Sequence, residues 1–438
     1  MNLYDSERMQ EILTPLGFSE THSIDTADLV IFNTCHIRAK AEDKLFSDLG
    51  RANLVKQKRA HTNQPTWIVV AGCVGQALGQ HILKRAPYVN MVVGPQTYHS
   101  LPETIVRLMR KEQKNFVALG FPAMEKFDEL PRQRTVKGPA AFLSIQEGCN
   151  KFCRYCVVPY TRGPEYSRPV QELMDEARSM VDAGVKEITV LGQNVNAYHG
   201  LDHAGKESSL GRLIFDLATI DGLERIRYMT SHPRDVDDDL VAAHRDVPQL
   251  MPFLHLPVQS GSNRVLAHMN RQHTREHYFD IIDRFVQARS DMVFSSDFIV
   301  GYPNETDADF QDTCDLVHRV RFAQAFSFKY SPRPGTPAAV MTQVPDAIKD
   351  QRLQHLQAIL TQHRMDFNTT FVNTTTPVLV EKIDSVKQRF TGRNPFMHTV
   401  HFDGPDCAIG DTVPVTIHTP LTNSLIGSAS STNPNDHS

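Results

Sequence analysis

The chain has 438 residues, 40% apolar and 22% charged, a balance that fits a folded globular protein and excludes collagen-like and disordered chains. Net charge is −4 and the pI about 6.6, so no overall basic excess announces nucleic acid, and any RNA contact must come from local patches. Seven cysteines are too few for a disulfide framework, and no signal-peptide pattern or apolar run of spanning length is seen, so a cytoplasmic protein without membrane contact is expected.

At this length two to four domains are expected. Residues 1–118 read as an α/β domain. The runs Asp28 to Cys35, Trp67 to Cys73 and Asn90 to Gly94 are apolar enough for buried strands, with helical patterns such as Ile37 to Lys58 between them. Strand–helix alternation predicts a parallel sheet. Residues 119–140 are polar and punctuated by proline, and read as a linker. A second alternation occupies 141–374, with strands predicted at Ala141–Gln146, Glu187–Leu191, Arg225–Thr230, Pro252–Val258, Met292–Val300 and Ala325–Tyr330. Six such repeats without closure predict a partial (β/α)6 barrel, whose ligands bind at the C-terminal strand ends. Residues 375–428 change to short strands (Val378–Ile383, Gln388–Gly392, His398–Phe402, Thr412–His418) separated by Gly, Pro and Asp, the rhythm of a small all-β barrel. The remaining 429–438 read as a disordered tail, with polar composition already from Ser428.

Just after the first barrel strand lies EGCNKFCRYC, with Cys149, Cys153 and Cys156 spaced as CxxxCxxC and Tyr155 before the last sulfur. Three thiolates at this spacing can hold three irons of a 4Fe–4S cube and leave the fourth open. A structural zinc site would want a fourth ligand, usually from a second CxxC pair, which is lacking. A disulfide within so short a loop rarely meets the required geometry.

Several further runs have chemistry-bearing residues at strand ends. Cys156 continues as VVPYTRG, Leu191–Asn196 reads LGQNVN, Thr230–Pro233 TSHP, His255–Ser262 HLPVQSGS, Ser296–Pro303 SDFIVGYP and Tyr330–Pro337 YSPRPGTP. Together with CxxxCxxC they resemble the methylthiotransferases of the radical S-adenosylmethionine (SAM) superfamily, over nearly the whole chain. The resemblance implies an N-terminal methylthiotransferase domain, a radical-SAM core and a C-terminal TRAM barrel. It implies an enzyme that consumes SAM to insert a methylthio group at C2 of an isopentenylated adenine beside the tRNA anticodon. SAM would chelate the open iron through its methionine moiety. A second 4Fe–4S cluster would carry the sulfur, an external reductase such as flavodoxin would deliver electrons, and the sulfur donor stays open. A monomer is expected.

The chain departs from the family at its start. MNLYDSERM matches the stretch that comes after the family's first N-terminal cysteine, so Cys35 and Cys73 remain as ligands of the second cluster. We read this as a clipped start, the rival being a lost or atypically ligated cluster. Taken alone, both cysteines could be small buried residues. Cys314 reads as core and Cys407 as a loop residue without a role.

At the barrel mouth, Gln193 and Asn194 either contact SAM or form a turn. Ser231, with His232, contacts the cofactor or caps a helix. Gln259 and Ser260 contact SAM or substrate. Asp297 lies within a strand and needs a partner, which is SAM, Arg264 or a structural group. Arg162 and Arg333 either hold the SAM carboxylate or an RNA phosphate, or form surface salt bridges. The β module carries Lys382, Lys387, Arg389 and Arg393 against five acids, so it is not basic. RNA contact there rests on the resemblance, on Arg393, and on Phe390, Phe396 and Phe402. The family's Asn-Asn-Arg stretch reads Phe396-Met397-His398 here. Rival readings are a methylthiotransferase for threonylcarbamoyl-adenosine or a ribosomal-protein aspartate, and a non-catalytic tRNA-binding paralogue.

Overall fold

The computed structural model describes residues 1–34, 40–131, 133–384, 389–405 and 407–429, with side chains of 40 and 41 left aside. The strands are β1 (Leu29–Asn33), β2 (Trp67–Ala71), β3 (Met91–Val93), β4 (Phe116–Ala118), β5 (Ala140–Ser144), β6 (Gln146–Glu147), β7 (Tyr166–Ser167), β8 (Glu187–Leu191), β9 (Arg225–Tyr228), β10 (Phe253–His255), β11 (Val293–Val300) and β12 (Gln324–Lys329). A C-terminal module adds β13 (Thr375–Asp384), β14 (Arg389–Arg393), β15 (Thr399–Asp403), β16 (Thr412–Pro420) and β17 (Ser424–Ala429).

Strands β1 to β4 form a parallel sheet in chain order. Alternation along β2 sorts its side chains into two layers. Val69 and Ala71 pack with Met9, Ile12 and Ile105 on one face, and Ile68 and Val70 with Leu45 and Leu49 on the other. The segment expected to be a linker is more structured than that. It contains the helix Ala123–Glu129, whose Phe127 joins the first of these layers and whose Lys126 is fully buried. Its polar composition hid this, because the buried cation is matched by a distant acid.

Strands β5, β8 and β9 pair in parallel, as do β10, β11 and β12. Backbone bonds from Ile226 to Gln249 (2.8 Å) and Met251 to Ile226 (3.0 Å) bridge the two sets into one open barrel. Ile188, Val190, Ile226 and Tyr228 pack outward among the helices. Glu187, Thr189, Arg225 and Arg227, of opposite parity, line the inside. The helix Val170–Asp182 covers the outer face with Leu173, Ala177 and Met180.

The long helix Asp346–Thr369 leads to a closed barrel in the order β13-β14-β15-β17-β16. Its interior holds Val378, Val380, Phe390, Val400, Phe402, Val415, Ile417 and Leu425. The barrel corrects two expectations. Phe390 and Phe402 are core residues, 5% and 0% exposed, so they cannot stack on RNA. The fifth strand, β17, was not expected; it pairs with both β15 and β16 and extends through Ala429, past the point where the sequence turns polar. Among the described residues, no helix is long and apolar enough to cross a membrane.

Candidate active site

The CxxxCxxC loop follows β5 and β6 at the C-terminal end of the open barrel. Gly148, at φ +76, makes its entry possible, since a Cβ there would lie 1.9 Å from the Pro164 carbonyl oxygen. Gln146 and Gln193 set the loop's position. The Gln146 Oε1 accepts from the backbone N–H groups of Gln193 and Asn194 (3.0 and 3.1 Å), and Gln193 Oε1 accepts from Gly148 N–H (2.6 Å). Lys151 is held by Asp235 (2.6 Å), whose other oxygen accepts from Asn194 Nδ2 (2.8 Å).

Cys153 is buried, while Cys149 and Cys156 are partly exposed. Arg271 Nη1 lies 3.6 Å from Cys153 Sγ, and Val158 N–H points at Cys156 Sγ (3.5 Å). Burial pushes the Cys149 thiol up to about 11 and the Cys156 thiol up to about 12. A bound metal would keep them as thiolates at neutral pH. Among the described residues, no three His, Cys, Asp or Glu side chains are grouped to hold a single metal ion. A 4Fe–4S cube would place each of the three thiolates on its own iron.

The same end of the barrel carries buried polar atoms without hydrogen-bond partners among the described residues: Gln193 Nε2, Asn194 Oδ1, Ser231 Oγ, His232 Nε2, Arg271 Nε and His273 Nε2. Such atoms are normally satisfied. Burial, reinforced by Arg271, holds both imidazoles far down, His273 at about 3, and their rings meet edge to face at 5.9 Å. Two neutral imidazoles and an amide set with open hydrogen-bonding capacity fit a polar zwitterionic ligand such as SAM. Thr230 and Gln259 have positive φ (76 and 75), backbone strain at the ends of two barrel strands.

Other expected positions resolve differently. Arg264 does not pair with Asp297. It is bound to Asp309 and donates to the Asn304 carbonyl (2.6 Å), within the capping box of the helix Asp307–Val320. Asp297 faces His255 instead (3.7 Å), which in turn contacts Ser295 (3.0 Å). Arg162 is 3% exposed and bound to Asp5 (2.6 Å) and Glu147 (3.5 Å), so it cannot reach an RNA phosphate. Arg393 pairs with Glu381 (3.0 Å) and keeps a 40% exposed side chain. Arg333 is half-buried near Tyr330. Cys314 is buried, and Cys407 donates to the Pro405 carbonyl.

Cys73 is buried at the start of the helix Cys73–Leu78, behind Gly72. Val74 N–H donates to the Thr34 carbonyl (3.2 Å), so the stretch leading to Cys35 lies beside Cys73. Cys35 itself lies outside the described residues. Cys73 is close enough to Arg162 to interact with it electrostatically. Arg271, His273, Lys151 and Asp235 were not singled out in the sequence. For Arg271 and His273 the signal is the polar run Asn270–Thr274, placed between two helices.

Residues 143–317 match the model of the Radical SAM superfamily, and residues 1–94 that of the Uncharacterized protein family UPF0004. The chain is 51% identical to the tRNA-2-methylthio-N(6)-dimethylallyladenosine synthase of Maricaulis maris (strain MCS10), over 98% of this chain and 94% of the relative. It belongs to the radical-SAM tRNA methylthiotransferases. The enzyme of the same designation from Roseobacter denitrificans is 50% identical over 97% of this methylthiotransferase and 95% of its own length. Among solved structures, the radical SAM methyltransferase TsrM from Kitasatospora setae superposes with a TM-score of 0.57 at 13% identity, covering 77% of this chain and 72% of that one. The cobalamin-dependent enzyme OxsB gives 0.51 at 11% identity, with 83% and 55% covered. These two likenesses concern the fold. Family membership implies a 4Fe–4S cluster and SAM, which the cysteine loop and the unpartnered polar atoms fit.

Proposed function

We propose that this methylthiotransferase adds a methylthio group to C2 of N(6)-dimethylallyladenosine next to the anticodon of tRNA, in the cytoplasm and as a monomer. The observation that carries the reading is the CxxxCxxC loop at the C-terminal barrel end, ringed by buried polar atoms without partners, in a chain half identical to synthases of that designation. Cys149, Cys153 and Cys156 hold the SAM-binding cluster. That cluster, when bound, supplies the electron that cleaves SAM and so the carbon radical able to attack an unactivated C–H bond.

The chain's own residues hold the reactants in place. Gln146 and Gln193 fix the loop, and Lys151, Asp235 and Asn194 tie it to the next two strand ends. Gln193, Asn194, Ser231, Gln259 and Asp297 are assigned to SAM, with Tyr155 packed behind the loop; Arg264 supports them only through its helix cap. His232 and His273, held neutral, offer lone pairs or N–H groups without adding charge. Cys35 and Cys73 are assigned to a second cluster that carries sulfur, and a flavodoxin-type reductase to electron delivery. Arg333 and Arg393 remain as RNA contacts.

The test is nucleoside mass spectrometry of tRNA from cells lacking this activity, complemented with this chain. Appearance of the 2-methylthio nucleoside supports the reading. Persistence of the dimethylallyl nucleoside, with the protein expressed and its clusters loaded, sinks it.

A further inference from the structure

The core barrel is open between its edge strands β5 and β12. Register tells which side chains of β12 face inward. In β11, Phe294, Phe298 and Val300 belong to the outer core beneath the helices, leaving Ser295, Asp297 and Ile299 on the inner face. Asp297 is in register with Phe326 and Ile299 with Phe328, and parallel partners share a face. Phe326 and Phe328 thus face the lumen from the edge strand, and each is 44% exposed.

The stripe has defined ends. Tyr330, of the same parity, is buried with Val265, Met269 and Tyr302, and Tyr155 of the cysteine loop packs against that group. At the start of β12, Gln324 lines a cavity with Phe396, Met397 and His398 of the β module. Two uncovered rings therefore lie between the β module and the loop proposed to hold the cluster.

Resting on the function proposed above, we infer that Phe326 and Phe328 are the surface on which the substrate's purine and its apolar N6 substituent stack. Continuity with the cysteine loop selects this occupant: a base seated there adjoins the place where the radical arises. Aromatic rings hold bases through their π faces, and an apolar wall suits a dimethylallyl group.

The test uses the full chain, reconstituted anaerobically with SAM, titrated with a fluorescent anticodon stem-loop RNA carrying dimethylallyladenosine. Phe326→Leu and Phe328→Leu keep apolar volume and remove the ring; Phe326→Tyr and Phe328→Tyr keep the ring. The leucine variants should bind about tenfold more weakly, and the tyrosine variants as wild type. Melting temperatures separate lost stacking from lost fold. Leucine variants that bind as wild type overturn the inference, and so does an equal loss in leucine and tyrosine variants of unchanged melting temperature. Product formation by the wild type in the same reactions reports separately on the proposed function.

Discussion

The guanidinium of Arg271 stands 3.6 Å from the sulfur of Cys153 and donates to the Pro257 carbonyl. Burial opposes its charge, and Tyr155 and the sulfurs of Cys153 and Cys156 are the groups beside it whose ionised forms would favour that charge. A buried cation beside thiols is stabilised when the thiols carry negative charge. Arg271→Gln should therefore weaken retention of the cluster by about 10- to 100-fold, the range of comparable supporting residues. Iron content and the EPR signal after reconstitution measure this, and Arg271→Lys should recover part of the loss. Full cluster content in the glutamine variant would remove Arg271 from this role.

Gly148→Ala places a methyl group 1.9 Å from the Pro164 carbonyl oxygen, at a φ that L-residues rarely adopt. The loop carrying Cys149 has to shift. The expected outcome is loss of most cluster iron and of SAM cleavage, with far-UV circular dichroism unchanged because the collision is confined to the loop.

Arg227 is buried between Glu187 (3.0 Å) and the carbonyls of Asn394 and Pro395, both at 2.8 Å. Arg227→Met leaves Glu187 buried with its charge less well met, and should cost about 3–5 kcal/mol, read as a lowered denaturation midpoint. The double variant Glu187→Leu, Arg227→Met should regain part of that loss, giving a non-additive cycle. Additive losses would show that the two side chains act independently.

His244 is fully buried, hydrogen-bonds the Tyr228 hydroxyl at 2.8 Å, and is held down at about 3 by burial. An unfolded histidine titrates near 6.5, so between these values the unfolded chain holds a proton that the native chain lacks. Stability therefore falls as pH drops through that window, by about 1.4 kcal/mol per unit. His244→Gln should lose about 2 kcal/mol less than wild type between pH 7 and pH 5, measured by urea denaturation. Equal losses would contradict a neutral buried His244.

The cysteine loop was legible because its chemistry is local: three thiols and an aromatic in eight residues. The barrel strands were legible from apolar runs followed by polar motifs. Buried charges were not, since a sequence shows a charge but not its partner. Lys126 looked like part of a solvated linker until Glu147 appeared beside it, and Arg162 looked exposed until Asp5, 157 residues away, enclosed it. Phe390 could have been placed inside the β module from alternation alone, because Arg389, Thr391 and Arg393 take the other face of the strand. The strand β17 had no such signal, since its definition comes from two neighbours rather than its own pattern.

Among the described residues, the hydrogen bonds from Arg225 and Arg227 to the β module go to main-chain oxygens, those of Pro377, Arg393, Asn394 and Pro395, with the Glu381 carboxylate adding charge attraction. A carbonyl is present whatever the side chain, so these bonds need only the path of the main chain, which Asn394 Oδ1 fixes by accepting from the Phe396 and His398 N–H groups (3.1 and 2.9 Å). The side chains of Phe396 and Met397 take no part in those bonds and can change without removing an acceptor. This chain carries Phe396-Met397-His398 where the family resemblance implies Asn-Asn-Arg, and the anchor is intact. The module is thus attached through the path of its main chain, and the side chains of Phe396 and Met397 are free of that duty.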